Sequence, residues 1–73
     1  MTLRECPPGA EVLLLEVATK GPDRQRLMEW GFIPGVRLRL VARSMAGAVV
    51  VALGDARVAL DSGLARSLDV AEL

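Results

Sequence analysis

Residues 26–35, RLMEWGFIPG, contain the only Trp and the only Phe of the chain. We expect a short helix to end at Trp30, because Gly31 follows it and helices often close on a left-handed glycine. Phe32 should then fold back on Leu27, as it does in a Schellman ending. The stretch therefore predicts a helix that stops at a defined residue.

The second half of the same stretch predicts a tight turn. The tetrapeptide IPGV fits a type II turn, with Pro34 at its first corner and Gly35 at the corner that needs a positive φ. A phosphate-binding loop is excluded, because the P-loop spacing is absent and these glycines follow a helix instead of opening one. We therefore expect a rigid corner between a helix and a strand.

Two elements precede this corner. In residues 10–18, AEVLLLEVA, apolar side chains occupy both odd and even positions, which predicts a strand buried on two faces. KGPD then favours a helix over residues 22–30, with Pro22 at or near its first position and Asp23 in its first turn. The helix is too short to be stable alone, so it must pack on the sheet.

The strand after the corner, residues 36–43, alternates between apolar and basic residues. Alternation in a strand sends successive side chains to opposite faces. One face is predicted to carry Val36, Leu38, Leu40 and Ala42, and the other Arg37, Arg39 and Arg43 together with Val41.

Three further strands follow in the pattern. Residues 48–53 and 56–60 flank Gly-Asp, a two-residue hairpin signal. DSGLARS predicts one helical turn capped by Asp61 or Ser62, before a last strand in LDVAEL. We therefore expect a mainly β fold, a single domain over residues 1–73 formed as a small, partly closed barrel of about five strands. Closure would also protect the aggregation-prone AVVVAL from an edge position.

Composition restricts the function. The chain has 73 residues, one Cys and no His, which excludes disulfides and argues against a structural zinc site. Nine Lys and Arg balance nine Asp and Glu, so no charge footprint for nucleic acid is present. No signal peptide or membrane-spanning stretch is recognisable, and we expect a soluble, cytoplasmic protein without direct membrane insertion.

Several segments resemble one family in order along the whole chain. DRQRLMEWGFIPG resembles the R-x-L-x-x-x-G-x-x-P-G segment of the ferrous iron transport protein A family, FeoA. CPPG, VRLRLVARSMAG and VALDSGLARSLDV resemble its N-terminal turn, its next strand and loop, and its C-terminal pattern. The sequence departs from the family at Trp30, Ala48 and Asp61, where Leu or Met, Pro and a basic residue are common.

The resemblance implies an SH3-like β-barrel and a cytosolic accessory role. The implied partner is FeoB, a membrane ferrous-iron transporter with a GTP-binding domain. Domains of this kind also occur at the C-terminus of iron-dependent repressors of the DtxR type. The alternative function is therefore an interaction or effector module related to such a repressor. A weakly self-associating structural domain is a third possibility, because small barrels with spare apolar surface can dimerise.

The residues suggest binding and not catalysis. No pair of base and nucleophile is present, so we expect no enzyme activity and no cofactor. We also expect no iron ligand set, although the family name makes iron an obvious question, because Glu11 and Glu16 should point to opposite faces by parity. Cys6 is most simply a small buried apolar residue. A proline-rich peptide groove is not expected, because such grooves are lined by several aromatic residues.

Five residues are candidates for contact with a partner protein. The arginines could form a basic stripe for an acidic or phosphate-bearing surface, or could be the solvated face of a half-buried strand. Trp30 could anchor an interface or could cover the core. The candidate set is Trp30, Phe32, Arg37, Arg39 and Arg43, beside the turn residues Leu27, Gly31, Pro34 and Gly35.

Overall fold

The structure is a computed structural model that describes all 73 residues. A 3-10 turn at Leu3–Glu5 precedes the first strand and has no counterpart among the predicted elements. The other elements, in chain order, are β1 (Glu11–Val17), α1 (Gly21–Glu29), β2 (Arg37–Arg43), β3 (Val49–Leu53), β4 (Ala56–Leu60), α2 (Ser62–Arg66) and β5 (Leu68–Glu72). Five strands, one helix after β1 and one helical turn before β5 confirm the predicted element order. Neither helix has the length and apolar character that crossing a membrane would require.

The strands form one antiparallel sheet in the order β4-β3-β2-β1-β5. The Gly-Asp hairpin joins β3 to β4, and Leu53 pairs with Ala56 across it, as predicted. β3 lies between β2 and β4, so the apolar AVVVAL segment is not an edge strand. The edge of β5 is partly covered, because the backbone N–H of Val70 donates to the carbonyl of Met1 at 2.9 Å. The edge of β4 has no such cover.

The core is aliphatic except for Phe32. Fifteen buried hydrophobic residues form a single cluster that draws on all five strands, α1, α2 and the N-terminal turn. Leu3 and Cys6 are fully buried there, so the turn closes one end of the barrel. Asp61 caps α2 by accepting from the backbone N–H of Leu64 at 2.8 Å, which confirms one of the two predicted caps.

The prediction that β1 is buried on both faces is wrong. Its pairing with β5 shifts register between Leu14 and Glu16, which makes Leu15 a bulge residue with 52% of its surface exposed. The extra residue puts Val17 on the inward side and leaves Glu16 exposed. Glu11 and Glu16 therefore lie on the same exposed side of β1, and the parity argument that separated them is also wrong.

Candidate partner interface

The end of α1 has the predicted Schellman geometry. The backbone N–H of Phe32 donates to the carbonyl of Leu27 at 3.0 Å, and that of Gly31 donates to Met28 at 3.0 Å. These are the two bonds that define the motif. Gly31 has a φ of 101°, in the region that side chains oppose. Leu27 and Phe32 are both fully buried in the same core cluster, as the predicted contact between the helix and the chain after it requires.

The IPGV segment continues from this ending into β2. Val36 donates to the carbonyl of Ile33 at 3.1 Å, and Gly35 has a φ of 100°, as a type II turn requires. The turn is also attached to β1: Gly35 donates to the carbonyl of Leu14 at 2.8 Å, while Leu14 donates to Val36 at 2.9 Å. Residues 26–36, hereafter the corner, are thus fixed at both ends.

Two neighbouring aromatic residues of the corner have opposite environments. Phe32 is fully buried, so its candidacy as a partner-contact residue is wrong: it contributes to the core and offers no surface. Trp30 is the C-terminal cap of α1 and is 43% exposed. Only Trp30 is therefore available for contact with another protein.

A β-bulge changes the predicted arginine face of β2. Pairing with β3 joins Leu40 to Val51 and Ala42 to Val50, so Val41 is an extra residue without a partner. Ala42 then shares the outward side with Val50 instead of continuing the inward row, and it is exposed. Arg43 pairs with the buried Val49 and so leaves the side that carries Arg37 and Arg39. The predicted grouping of three arginines with Val41 is therefore wrong at Arg43 and at Ala42.

Arg43 has a structural partner inside the chain. Its Nη1 atom donates to the backbone carbonyl of Cys6 at 2.9 Å, across 37 positions of sequence. Cys6 is fully buried, as predicted, and its Sγ lies 3.7 Å from the carbonyl oxygen of Thr2. Arg43 thus ties the N-terminal turn to the end of β2.

Arg37 and Arg39 are exposed on the outward side of β2, and Arg57 of β4 joins them. Arg39 pairs with Ala52 of β3, and Ala52 pairs with Arg57, so the two arginines flank a small side chain in one row across the sheet. A pocket of about 310 Å³ opens beside this row. Its lining residues are Glu11, Arg37, Leu38, Arg39, Ala52 and Gly54.

The next outward row of the same sheet is apolar. Ala42, Val50 and Ala59 follow each other across β2, β3 and β4. A second open groove, also of about 310 Å³, lies over this row, and six of its eight lining residues are hydrophobic. The outward side of β2, β3 and β4, hereafter the outer face, therefore has a basic end and an apolar end.

Sequence reasoning did not include Arg57 among the candidates. The Gly-Asp hairpin would have placed Arg57 opposite Ala52, because a two-residue loop defines the pairing on either side of it. The further step from Ala52 to Arg39 depends on the register between β2 and β3, which no local signal specifies. The corner meets this end of the sheet, since a Cβ atom on Gly31 would lie 3.2 Å from Cδ2 of Leu53.

The titratable side chains include no metal-binding cluster, and the two with shifted pKa values lie at the N-terminal turn. No group of three or more His, Cys, Asp or Glu side chains comes close enough to hold a metal ion. Burial raises the pKa of the Cys6 thiol, and the carboxylates of Glu72 and Glu5 raise it further. Hydrogen bonds from the backbone and hydroxyl of Thr2 lower the pKa of Glu5. These groups stabilise the N-terminal turn.

Five antiparallel strands in one sheet with two short helices give this chain the SH3-like fold, which it shares with a solved structure described as an SH3 domain protein. The family model of the FeoA domain matches residues 1–72, and the chain belongs to the FeoA family. Both the predicted fold and the predicted family are confirmed. None of the curated proteins compared with this chain matches it in sequence.

Solved structures with the same fold include transport and regulatory proteins. An iron uptake regulatory protein, FeoA, has a TM-score of 0.92 at 26% identity, covering 100% of this chain and 97% of its own. FeoA of Stenotrophomonas maltophilia, complexed with zinc and described as a prokaryotic SH3 domain protein, has a TM-score of 0.79 at 29% identity; 97% of this chain and 89% of that chain are covered. A manganese-dependent transcriptional repressor has a TM-score of 0.89 at 28% identity, covering 100% of this chain and 36% of the repressor.

Proposed function

We propose that this protein is a non-enzymatic, cytoplasmic accessory of ferrous iron uptake that docks on a FeoB-type GTPase transporter. The observation that carries the proposal is the match of the FeoA domain to residues 1–72, nearly the whole chain. The described side chains supply no catalytic pair and no metal-binding cluster, which favours action through contact with another protein. Any effect on GTP hydrolysis or transport then arises because binding shifts the populations of the transporter's conformations.

Three exposed residues of the candidate set support docking. Trp30 is a large aromatic residue with 43% of its surface exposed, and Trp is enriched among residues that dominate binding energy. Arg37 and Arg39 are exposed on the outer face, and neither has an ion-pair partner within 4.0 Å. Groups of this kind are free to contact a partner without first breaking an internal bond.

Column retention tests the proposal directly. The chain is immobilised, and the purified cytosolic domain of the same organism's FeoB-type transporter is passed over it. We expect retention, and we expect Arg37→Glu with Arg39→Glu to weaken it without lowering the melting temperature. Trp30→Ala should also weaken retention, whereas Met45→Ala, which removes an exposed side chain of the β2–β3 loop, should not. Absence of retention by the unaltered chain would refute the proposal.

A second candidate function is an effector module for a metal-dependent repressor. The similarity to the manganese-dependent repressor favours it, since this whole chain corresponds to 36% of that protein. The same column distinguishes the two functions. Retention of a DNA-bound repressor in place of the transporter domain would support the second candidate.

A further inference from the structure

The arginines at the basic end of the outer face form no ion pair within 4.0 Å, and the nearest carboxylate in register is Glu11 of β1, which pairs across the sheet with Arg39. The structure contains one ion pair within 4.0 Å, between Arg26 and Asp23 on α1. Side-chain hydrogen bonds from arginine are made by Arg24 and Arg43, and none by Arg37, Arg39 or Arg57. Three cations thus face outward around Ala52 and Gly54, with Glu11 as the only carboxylate that lines the adjoining pocket.

This local excess of positive charge contrasts with the rest of the molecule. The whole chain has a formal net charge of zero, so the other surfaces together carry an excess of negative charge. A patch of one sign attracts a partner surface of the opposite sign and speeds its encounter. Arginine presents paired donors that match a carboxylate in geometry. The basic end is therefore suited to carboxylate side chains.

The apolar groove lies a fixed distance from the arginine row. Ala52 and Val50 are two residues apart on β3, as are Arg57 and Ala59 on β4, so the two rows are separated by roughly 7 Å along the strands. The same spacing separates residues i and i+2 of an extended chain, whose side chains point to one side. An extended segment that runs along the strands can therefore place a carboxylate on the arginines and an aliphatic side chain in the groove.

We propose that the outer face docks a segment of a partner protein that carries an acidic residue at i and an aliphatic residue at i+2. Arg39 and Arg57 bind the carboxylate on either side of Ala52, Arg37 adds to the field, and Val50 and Ala59 receive the aliphatic side chain. This inference rests on the proposed function only in taking the partner to be the transporter. It names the chemistry by which the outer face would recognise a transporter segment. The assignment of the surface stands on the arrangement of the outer face itself.

Nucleic acid is a poorer match to the same surface. Proteins that bind single strands stack bases on aromatic side chains along a basic groove, and the outer face contains no aromatic residue in either row. The groove beside the arginines is lined instead by small aliphatic side chains, which suit Leu or Val.

Titration of the isotopically labelled full chain tests the surface without a transporter. The probe is the blocked peptide Glu-Thr-Leu-Thr-Glu, followed by backbone amide shifts. We expect saturable shifts confined to β2, β3 and β4 around Ala52, Arg57 and Val50. Replacing the Leu of the peptide by Ser should weaken binding about fivefold, because the groove loses its apolar occupant.

Two double variants of equal charge change separate local contact from net charge. Arg39→Glu with Arg57→Glu should weaken peptide binding at least about tenfold, since two attractive contacts become repulsive. Lys20→Glu with Arg66→Glu makes the same change in net charge at exposed residues outside the outer face, and binding should be nearly unchanged. If the first pair were to unfold the chain, Arg39→Gln with Arg57→Gln should still weaken binding several-fold.

Each result decides the proposal. Shifts elsewhere on the chain, equal losses in the two charge-reversed variants, or tighter binding of a single-stranded oligonucleotide to the same residues would overturn it. Failure of the unaltered chain to bind the transporter domain, with peptide binding intact, would refute the proposed function and leave the surface assignment supported. Transporter binding that is insensitive to Arg39→Glu with Arg57→Glu would refute the surface assignment and leave the proposed function standing.

Discussion

The corner and the basic end of the outer face are neighbours in the barrel but owe their geometry to different kinds of interaction. The helix ending and the turn of the corner are formed by backbone bonds between residues no more than five positions apart, such as Phe32 to Leu27, and two further bonds to Leu14 attach the finished corner to β1. The outer face is assembled by pairing between strands, and a single extra residue, Val41, decides which side chains it presents. The rigid part of the molecule is therefore specified locally, and the surface available to a partner is specified by register.

The difference has a functional consequence. A local corner can fix the direction in which β2 leaves α1 while tolerating change at exposed Trp30. The outer face can acquire or lose a binding residue through a bulge, with little change in the core. Arg43 is an example. The bulge at Val41 turns Arg43 away from the predicted basic face, and its side chain donates to the Cys6 carbonyl instead.

The largest expected effect separates the two aromatic residues of the corner. Phe32→Ala should lower the free energy of unfolding by about 3–5 kcal/mol, because Phe32 is fully buried and a cavity would replace it. For a domain of this size that loss approaches the total stability. Urea unfolding measures it, with Trp30→Ala as the matched variant, for which we expect about 1 kcal/mol or less. Equal losses in the two variants would contradict the assignment of Phe32 to the core and Trp30 to the surface.

A smaller effect tests the backbone of the corner. Gly31→Val should cost at least about 1–2 kcal/mol, from the left-handed conformation that a side chain opposes. The contact of its Cβ with Leu53 should add to this cost. Gly9→Val is the control, because Gly9 has a φ of +90° but nothing within 4 Å of an added Cβ. Thermal melts that show no destabilisation of Gly31→Val would refute the Schellman ending, and equal effects at both glycines would refute the Leu53 contribution.

The bulge in β2 predicts a difference between two arginines that look equivalent in sequence. Arg43→Met should lower the free energy of unfolding by about 1 kcal/mol, because the carbonyl of Cys6 loses its charged donor at a partly exposed site. Arg37→Met removes an exposed side chain that makes no ion pair or side-chain hydrogen bond within the chain, and it should change stability by less than about 0.5 kcal/mol. Chemical denaturation of the two variants checks this. A larger effect at Arg37 would contradict the observed register.

The smallest expected effect concerns alkaline pH. The folded pKa of Cys6 is raised above its ordinary value of 9.0, so the folded state retains the thiol proton that the unfolded state releases. Stability from this group is complete below the ordinary value and declines as pH rises through it toward the folded pKa. The chain has no His, no Tyr and a single Lys, so few other groups titrate there. Unfolding measured against pH should show a steeper alkaline decline for the unaltered chain than for Cys6→Ala, and identical slopes would contradict the shift.

Local signals predicted much of the fold. The Schellman bonds, the turn at Pro34 and Gly35, the Gly-Asp hairpin and the Asp61 cap each depend on residues within a few positions of each other. Their side chains and backbone preferences do not depend on contacts with distant parts of the chain. These features were therefore readable from the sequence, and so were the number of strands and the positions of the two helical segments between them.

The candidate site was predicted less completely, because both bulges escaped the pattern. In β1 the run EVLLLEV is apolar at consecutive positions, so it does not reveal that Leu15 is the extra residue. In β2 the regular alternation through Val41 conceals the bulge altogether. A bulge forms where the partner strand leaves one residue unpaired, and that partner is distant in sequence. Arg43 was misplaced for lack of this information, and Arg57 was missed because no local signal specifies the register between β2 and β3. Phe32 was a candidate contact residue although its predicted contact with Leu27 pointed to the core.

The sequence alone determined a small aliphatic barrel, the order of its elements along the chain and a corner whose glycines are required by backbone conformation. Short-range hydrogen bonding and turn geometry are sufficient for these features. Only the tertiary structure decided which arginines share the outer face, that Arg57 joins Arg37 and Arg39, and that an apolar row lies beside them. Those choices depend on the register between strands, where one residue of shift moves every following side chain to the other side of the sheet.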